Sequence, residues 1–196
     1  LQMEDGVNQW GLAAGLTSVA PVDVRPGLNG GMLVRFVLEK CRDTRQALFA
    51  LRQLPIASAQ TILLADRQGQ IALVECSAQG METIRPTALR PYLWATNAFH
   101  SAKMASFQGP QEELWQSERR FQTLERALAG RTTEPDLRFA QNLLAGQYGF
   151  LCQYDPASGC DTLWSALYDL GGKTLWRAEG NPSRRRFEQD ARFSIA

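Results

Sequence analysis

The sequence predicts an α+β fold in which antiparallel strands and helices stack as a layered sandwich. Three observations lead there. Two β-rich runs, Thr61–Ala65 and Gln70–Cys76, flank Asp66-Arg67-Gln68-Gly69, which is a hairpin signal. Apolar residues at helical spacing fall in two blocks, one before this hairpin and one after it. Strand character returns at Thr162–Leu170 and Lys173–Glu179, joined by Gly171-Gly172. Each helix and each sheet has an apolar face to bury, and stacked layers bury them together.

Taken in order, residues 10–19 are small and apolar with two glycines, which suits a buried strand approached closely by another backbone. A Pro/Gly-rich loop covers residues 21–31. Met32, Leu33, Phe36, Val37 and Leu38 then mark a helix buried on more than one side. Asp43 caps the next helix, with Gln46 as reciprocal partner in a capping box. Ala47, Leu48, Leu51 and Leu54 form its inward stripe until Pro55 ends it. After the hairpin, Met81–Arg85 and Leu93–Phe99 are expected to extend the antiparallel sheet. Two helices follow. The first presents Leu114, Phe121, Leu124 and Leu128 on one face; the second starts near Thr133-Glu134-Pro135-Asp136 and buries Leu137, Ala140, Leu143 and Leu144.

Composition narrows the function classes. A chain of 196 residues with 44% hydrophobic and 21% charged residues suffices for one well-buried domain. Twenty-one basic and 20 acidic residues give a net charge of +1, so no global field draws nucleic acid or a membrane surface. Arg184-Arg185-Arg186 stands beside Glu188 and Asp190 and reads as a solvated surface. Apolar runs such as Ile71-Ala72-Leu73-Val74 are far too short to span a bilayer. Cys41, Cys76, Cys152 and Cys160 form no C-x-x-C pair, and with His100 as the lone histidine there is no zinc-ligand set. Reduced, mostly buried thiols are expected, with a Cys152–Cys160 bridge as the alternative; reduced thiols favour a cytoplasmic location. Residues 1–10 lack the form of a secretory signal, and Leu1 is not a translation start, so a piece of a longer protein is expected.

One stretch points to chemistry. The apolar run Leu93–Phe99 carries Thr96-Asn97, and an Asn at the end of a buried strand offers a fixed amide N–H of the kind that stabilises a developing oxyanion. In order around it stand Asn8-Gln9-Trp10-Gly11-Leu12, the hairpin from Leu64-Ala65-Asp66 to Val74-Glu75, Ser117 to Arg120, Thr162-Leu163-Trp164-Ser165 and Gly180-Asn181-Pro182. This order resembles the acyl-coenzyme A:6-aminopenicillanic acid acyltransferase family, a cysteine branch of the Ntn hydrolases, over nearly the whole chain. It is similar, more distantly, to choloylglycine hydrolases and penicillin V acylases.

The resemblance implies a four-layer αββα sandwich, with residues 1–196 a single Ntn-hydrolase-like domain lacking its nucleophile strand. It implies a hydrolase or acyltransferase that acts on linear carbon–nitrogen amide bonds. The nucleophile is a Cys exposed by autoproteolysis, with its own α-amine as base, and it lies upstream of Leu1 together with an Arg and an Asp. Asn97 matches the oxyanion-hole Asn. Thr17 falls at the second oxyanion donor, through its side chain or its backbone N–H. Arg120 matches the active-site Arg, and its neighbour Arg119 leaves the register open. The implied partner is a small acyl amide or thioester, with a homo-oligomer compatible; cofactors, metals, nucleic acid and membrane are not implied. A scaffold that has lost the chemistry, and binds or builds instead, is the other class.

Overall fold

The computed structural model describes residues 2–110, 114–129, 131, 136–154, 157 and 159–192. The chain divides into two compact units, Leu1–Glu118 and Arg119–Ser194.

The first unit is an antiparallel sheet in the order β1 (Asp5–Val7), β2 (Leu12–Ser18), β3 (Gln60–Asp66), β4 (Ile71–Cys76) and β5 (Met81–Ile84). Helices α1 (Gly30–Lys40) and α2 (Thr44–Leu51) lie between β2 and β3 in the chain. They cover one sheet face: Leu12, Ala14, Ile62, Leu64, Ala72, Val74 and Cys76 form one core with Leu33, Val34, Val37, Ala47, Leu48 and Leu51. Each fully buried Leu or Ile in such a core contributes roughly 1.5–3 kcal/mol relative to exposure.

Local chemistry sets the boundaries. Asn29 caps α1 by accepting from the Met32 amide at 3.0 Å. The buried residues of α1 are Leu33, Val34, Val37 and Leu38, which lie on one face, and Met32 is 45% exposed; the expected burial on more than one side is corrected. Asp43 caps α2 by accepting from the Gln46 amide at 2.7 Å, but the Gln46 side chain accepts from the Arg42 amide at 3.0 Å. The capping box is thus displaced by one residue. Asn8 joins α1 to the β1–β2 turn. Its amide donates to the Leu38 and Cys41 carbonyls at 3.0 and 2.7 Å, and its oxygen accepts from the Trp10 and Leu12 amides. Gly11 closes that turn at φ +79°, a left-handed conformation that disfavours a side chain. In the β3–β4 hairpin Asp66 accepts from the Gln68 and Gln70 amides, and Gly69 takes φ +77°.

Leu93–Phe99 is not a strand. It runs as irregular backbone in which Thr96 and Ala98 face each other across a bend at Asn97. Burial is continuous over Thr96, Asn97, Ala98 and Phe99, so the segment lacks the alternation that a half-buried strand needs. Its backbone groups bond to side chains instead of a ladder.

Helix α3 (Ser117–Leu128) begins in the first unit. The second unit holds the rest of α3, α4 (Leu137–Leu144) and an antiparallel sheet of β6 (Trp164–Asp169), β7 (Thr174–Glu179) and β8 (Glu188–Gln189). On α3 the buried residues are Ser117 and Thr123, whereas Phe121, Leu124 and Leu128 are half-buried. Leu114 and the expected helix start at Thr133-Glu134-Pro135 lie outside the described side chains; Asp136 is the observed cap of α4, accepting from the Phe139 amide at 2.7 Å. Phe139 and Leu143 are buried on α4, and Leu137 is 37% exposed, contrary to expectation. At the β6–β7 turn Asp169 accepts from the Gly172 amide at 2.7 Å, and Lys173 takes the left-handed conformation. All four cysteines are free thiols, so the alternative Cys152–Cys160 bridge is not formed. Among the described residues no helix is long and apolar enough to cross a membrane.

Candidate active site

The sheet register of the first unit lines up a polar row. Thr17 on β2 faces Thr61 on β3, and Thr61 faces Glu75 on β4. Side chains alternate along a strand, so this row lies on the face opposite the helices. Thr61 and Glu75 are each 1% exposed.

The irregular segment 96–101 is fastened to this row. The Thr17 hydroxyl donates to the Thr96 carbonyl at 2.6 Å and lies 2.8 Å from the Thr61 hydroxyl. A carbonyl only accepts, so the Thr17 proton goes to Thr96 and the Thr61 hydroxyl donates to Thr17. Glu75 accepts from the His100 amide at 2.7 Å, the Ser101 amide at 3.1 Å and the Ser101 hydroxyl at 2.5 Å. Gln108 accepts from the Phe99 amide at 2.8 Å. The Ser117 hydroxyl donates to that of Thr96 at 2.9 Å, both residues being buried. Beneath the segment Phe99 and Met104 pack with Val19 and Ala59.

Asn97 sits at the centre of these ties, 8% exposed. Its amide nitrogen donates to the Ser18 carbonyl at 2.9 Å, at the end of β2. An amide NH₂ carries two donors, and this bond sets the plane in which both lie. Two of the three residues singled out in the sequence, Thr17 and Asn97, are therefore brought together on consecutive peptides of the same two segments.

The third, Arg120, belongs to the second unit, half-buried on α3. Burial lowers its pKa, opposed by the Tyr154 phenol, and a guanidinium stays charged at any ordinary pH. Tyr154 is raised in turn, chiefly by burial, with the Arg120 charge opposing. Arg119 points elsewhere: it is exposed, with its guanidinium 4.3 Å from the Phe150 ring centre.

Cys41, Cys76 and Cys152 are not poised as nucleophiles by burial and charge. Desolvation pushes Cys76 up to about 12, the Glu75 charge adding to it, while the Gln60 amide, 3.1 Å away, opposes it. Cys41 and Cys152 are raised by burial as well. A raised pKa removes the thiolate that would attack. Among the described residues no cluster of three or more His, Cys, Asp or Glu could hold a metal ion.

Other motif residues turn out to be fasteners. Asp66 accepts from the Thr44 amide at 2.9 Å and ties the hairpin to α2. Asn181 donates to the Cys152 carbonyl and the Asp161 carboxylate, and accepts from the Ser183 amide and hydroxyl. Glu75 and Thr61 escaped notice as members of the site. A signal existed for Glu75: an acid inside Ile71-Ala72-Leu73-Val74 and its flanks must either be buried with partners or break the strand.

The family model for acyl-coenzyme A:6-aminopenicillanic acid acyl-transferase matches residues 1–184. The chain belongs to this family. No curated protein matches it by sequence. Among solved structures, a variant of conjugated bile acid hydrolase from Clostridium perfringens superposes at TM-score 0.60 with 12% identity, covering 96% of this chain and 72% of that one. A second variant of that hydrolase gives 0.57 at 11% identity, covering 99% of this chain and 74% of the other. Penicillin V acylase from Agrobacterium tumefaciens gives 0.49 at 15% identity, with 91% and 63% covered. Identities this low establish likeness of fold. The resemblance read from the motif order stands, and this acyl-transferase family member shares its fold with bile acid hydrolase.

Proposed function

We propose that this chain carries the oxyanion-stabilising part of an amide hydrolase or acyltransferase that acts on linear carbon–nitrogen bonds. Its nucleophile is an N-terminal Cys encoded upstream of Leu1. The observation that carries the reading is the buried Asn97 amide, held on the Ser18 carbonyl beside Thr17. Family membership over residues 1–184 supports it, as do the raised pKa values of Cys41, Cys76 and Cys152.

In this scheme the α-amine of the terminal Cys accepts the thiol proton, and sulfur attacks the amide carbonyl. The carbonyl oxygen gains charge, which the Asn97 N–H stabilises. Collapse breaks the C–N bond, the amine leaves with the proton, and a thioester remains. Water or an acceptor amine then takes the acyl group, and the thiol is restored. The Thr17 hydroxyl proton is committed to Thr96 and the Thr17 backbone N–H faces Thr61 in the β2–β3 ladder, so Thr17 serves the oxyanion site by holding the peptide that precedes Asn97. Arg120, the half-buried member of its pair, is assigned the cation that orders the nucleophile region through charge-assisted bonds.

The fold proposed with this chemistry is the four-layer αββα sandwich, a single domain completed by an upstream nucleophile strand. Support comes from the sheet face opposite α1 and α2, where half-buried Ala13 and Gly15 and exposed Leu63 give an apolar surface that a second layer would cover. An electrophilic amide analogue added to the full-length protein tests the reading by denaturing mass spectrometry. The label is expected on the terminal Cys and on none of the four cysteines here. Labelling of Cys41 or Cys76 overturns the assignment, and absence of any labelling favours a scaffold without chemistry.

A further inference from the structure

We infer that Glu75 is a positioning residue: its carboxylate holds the 96–101 segment so that the Asn97 amide points where the oxyanion forms. The inference rests on the proposed role of Asn97 and gives a role to a residue that stands in the motif order but was assigned none there.

The geometry carries it. Glu75 lies in the middle of a sheet that is otherwise apolar on its own strand, 1% exposed. A carboxylate there without partners would be strongly unfavourable, so its bonds define its purpose. Three of them converge on two consecutive residues: the His100 amide at 2.7 Å, the Ser101 amide at 3.1 Å and the Ser101 hydroxyl at 2.5 Å. Hydrogen bonds to a charged acceptor are the strong kind, and here they fix the peptide plane three residues beyond Asn97.

The other side of Asn97 is fixed from the same row. Thr61, opposite Glu75 in the register, contacts Thr17, and Thr17 binds the Thr96 carbonyl immediately before Asn97. Asn97 is thus strung between two anchors on β2 and β4, the strands on either side of β3 in one sheet, and its side chain reaches a third point at Ser18. A donor that stabilises a transition state must be oriented before the charge appears, because reorientation during reaction cancels the gain. Removing the Glu75 anchor frees one end of the segment without touching the amide itself.

The test is a double-mutant cycle in the full-length protein, with Glu75→Gln, Asn97→Asp and both together, normalised to folded fraction. Glu75→Gln keeps the side-chain shape but turns an NH₂ group towards N–H donors. Its kcat is expected to fall on the order of 10- to 100-fold with KM nearly constant, as for loss of alignment at a distance. The double variant is expected to be no slower than Asn97→Asp alone, because Glu75 acts through Asn97. Hydrogen exchange at residues 96–101 is expected to accelerate in Glu75→Gln, whatever the activity. Unchanged exchange there, or a kcat loss that multiplies with that of Asn97→Asp, overturns the positioning role. A normal kcat in Asn97→Asp overturns instead the reading on which it rests, while the exchange result stays readable.

Discussion

The Thr17 hydroxyl donates to the Thr96 carbonyl oxygen at 2.6 Å, across 79 residues of sequence. This one bond fastens the end of β2 to the peptide that precedes Asn97, and Thr61 completes the chain of donors behind it. Thr17→Val keeps the shape and removes the proton, leaving the carbonyl of buried Thr96 without this donor. A loss of about 1–3 kcal/mol in urea unfolding is expected, with Thr17→Ser close to the parent protein. Equal stability of Thr17→Val and parent would show that water replaces the hydroxyl without cost.

In the proposed scheme Asn97→Asp exchanges a donor for a charged acceptor beside developing negative charge. In the full-length protein kcat is then expected to fall by more than about 10²-fold per folded molecule, with KM little changed. If the amide serves only to hold Ser18, the same change costs about 1–2 kcal/mol of stability and leaves kcat almost intact. Measuring both quantities on one preparation separates the two.

Asn8 provides the contrasting case. It makes four hydrogen bonds that join the end of α1 to the β1–β2 turn. Asn8→Ala is expected to destabilise by about 2–4 kcal/mol, since several partly buried backbone groups lose partners at once. The kcat of the remaining folded fraction should match the parent.

Cys76 should be silent towards thiol reagents. Its pKa of about 12 leaves almost no thiolate at pH 8, reducing its rate on the order of 10³-fold relative to an ordinary thiol before burial is counted. Titration with a disulfide reagent should modify the half-buried Cys160 first and Cys76 only on unfolding.

Asp161 supplies a pH-dependent prediction for the second unit. Its pKa is lowered, chiefly by the Asn181 amide; desolvation opposes this, and the Thr162 amide and Arg184 lower it further. A lowered carboxylate pKa contributes stability that is present above the unfolded value and is lost as pH falls through the folded one. Acidification below the ordinary carboxylate range should therefore weaken this unit. Asn181→Ala should move the Asp161 titration, followed by carboxyl NMR, back towards the ordinary value of about 3.9.

Much of the architecture was legible in the residues. Alternation and a turn sequence located β3 and β4, capping residues located α2, and the double-glycine turn located β6 and β7, because each depends on contacts within a few residues. Short elements were less visible: β1 and β8 have three and two residues, too few for any period to emerge. Helices α3 and α4 stand where expected, and Leu143 is buried as expected, but the rest of their inward faces differs; Ser117, Thr123 and Phe139 are buried where Leu137 is exposed. Which side of a helix is covered is decided by what packs on it.

The sequence by itself determined the family, the antiparallel strands and the choice of Asn97, since motif order and turn chemistry are properties of the chain. Tertiary structure alone decided what surrounds Asn97. Leu93–Phe99 has the composition of a strand, yet it bends, because Thr17, Glu75, Gln108 and Ser117 satisfy polar groups of residues 96–101 from other parts of the chain. Those partners are 79, 25, 9 and 21 residues from the groups they bind, and no local pattern records such pairings. Only the register of β2, β3 and β4 brings Thr17, Thr61 and Glu75 into one row, and that row holds the amide in place.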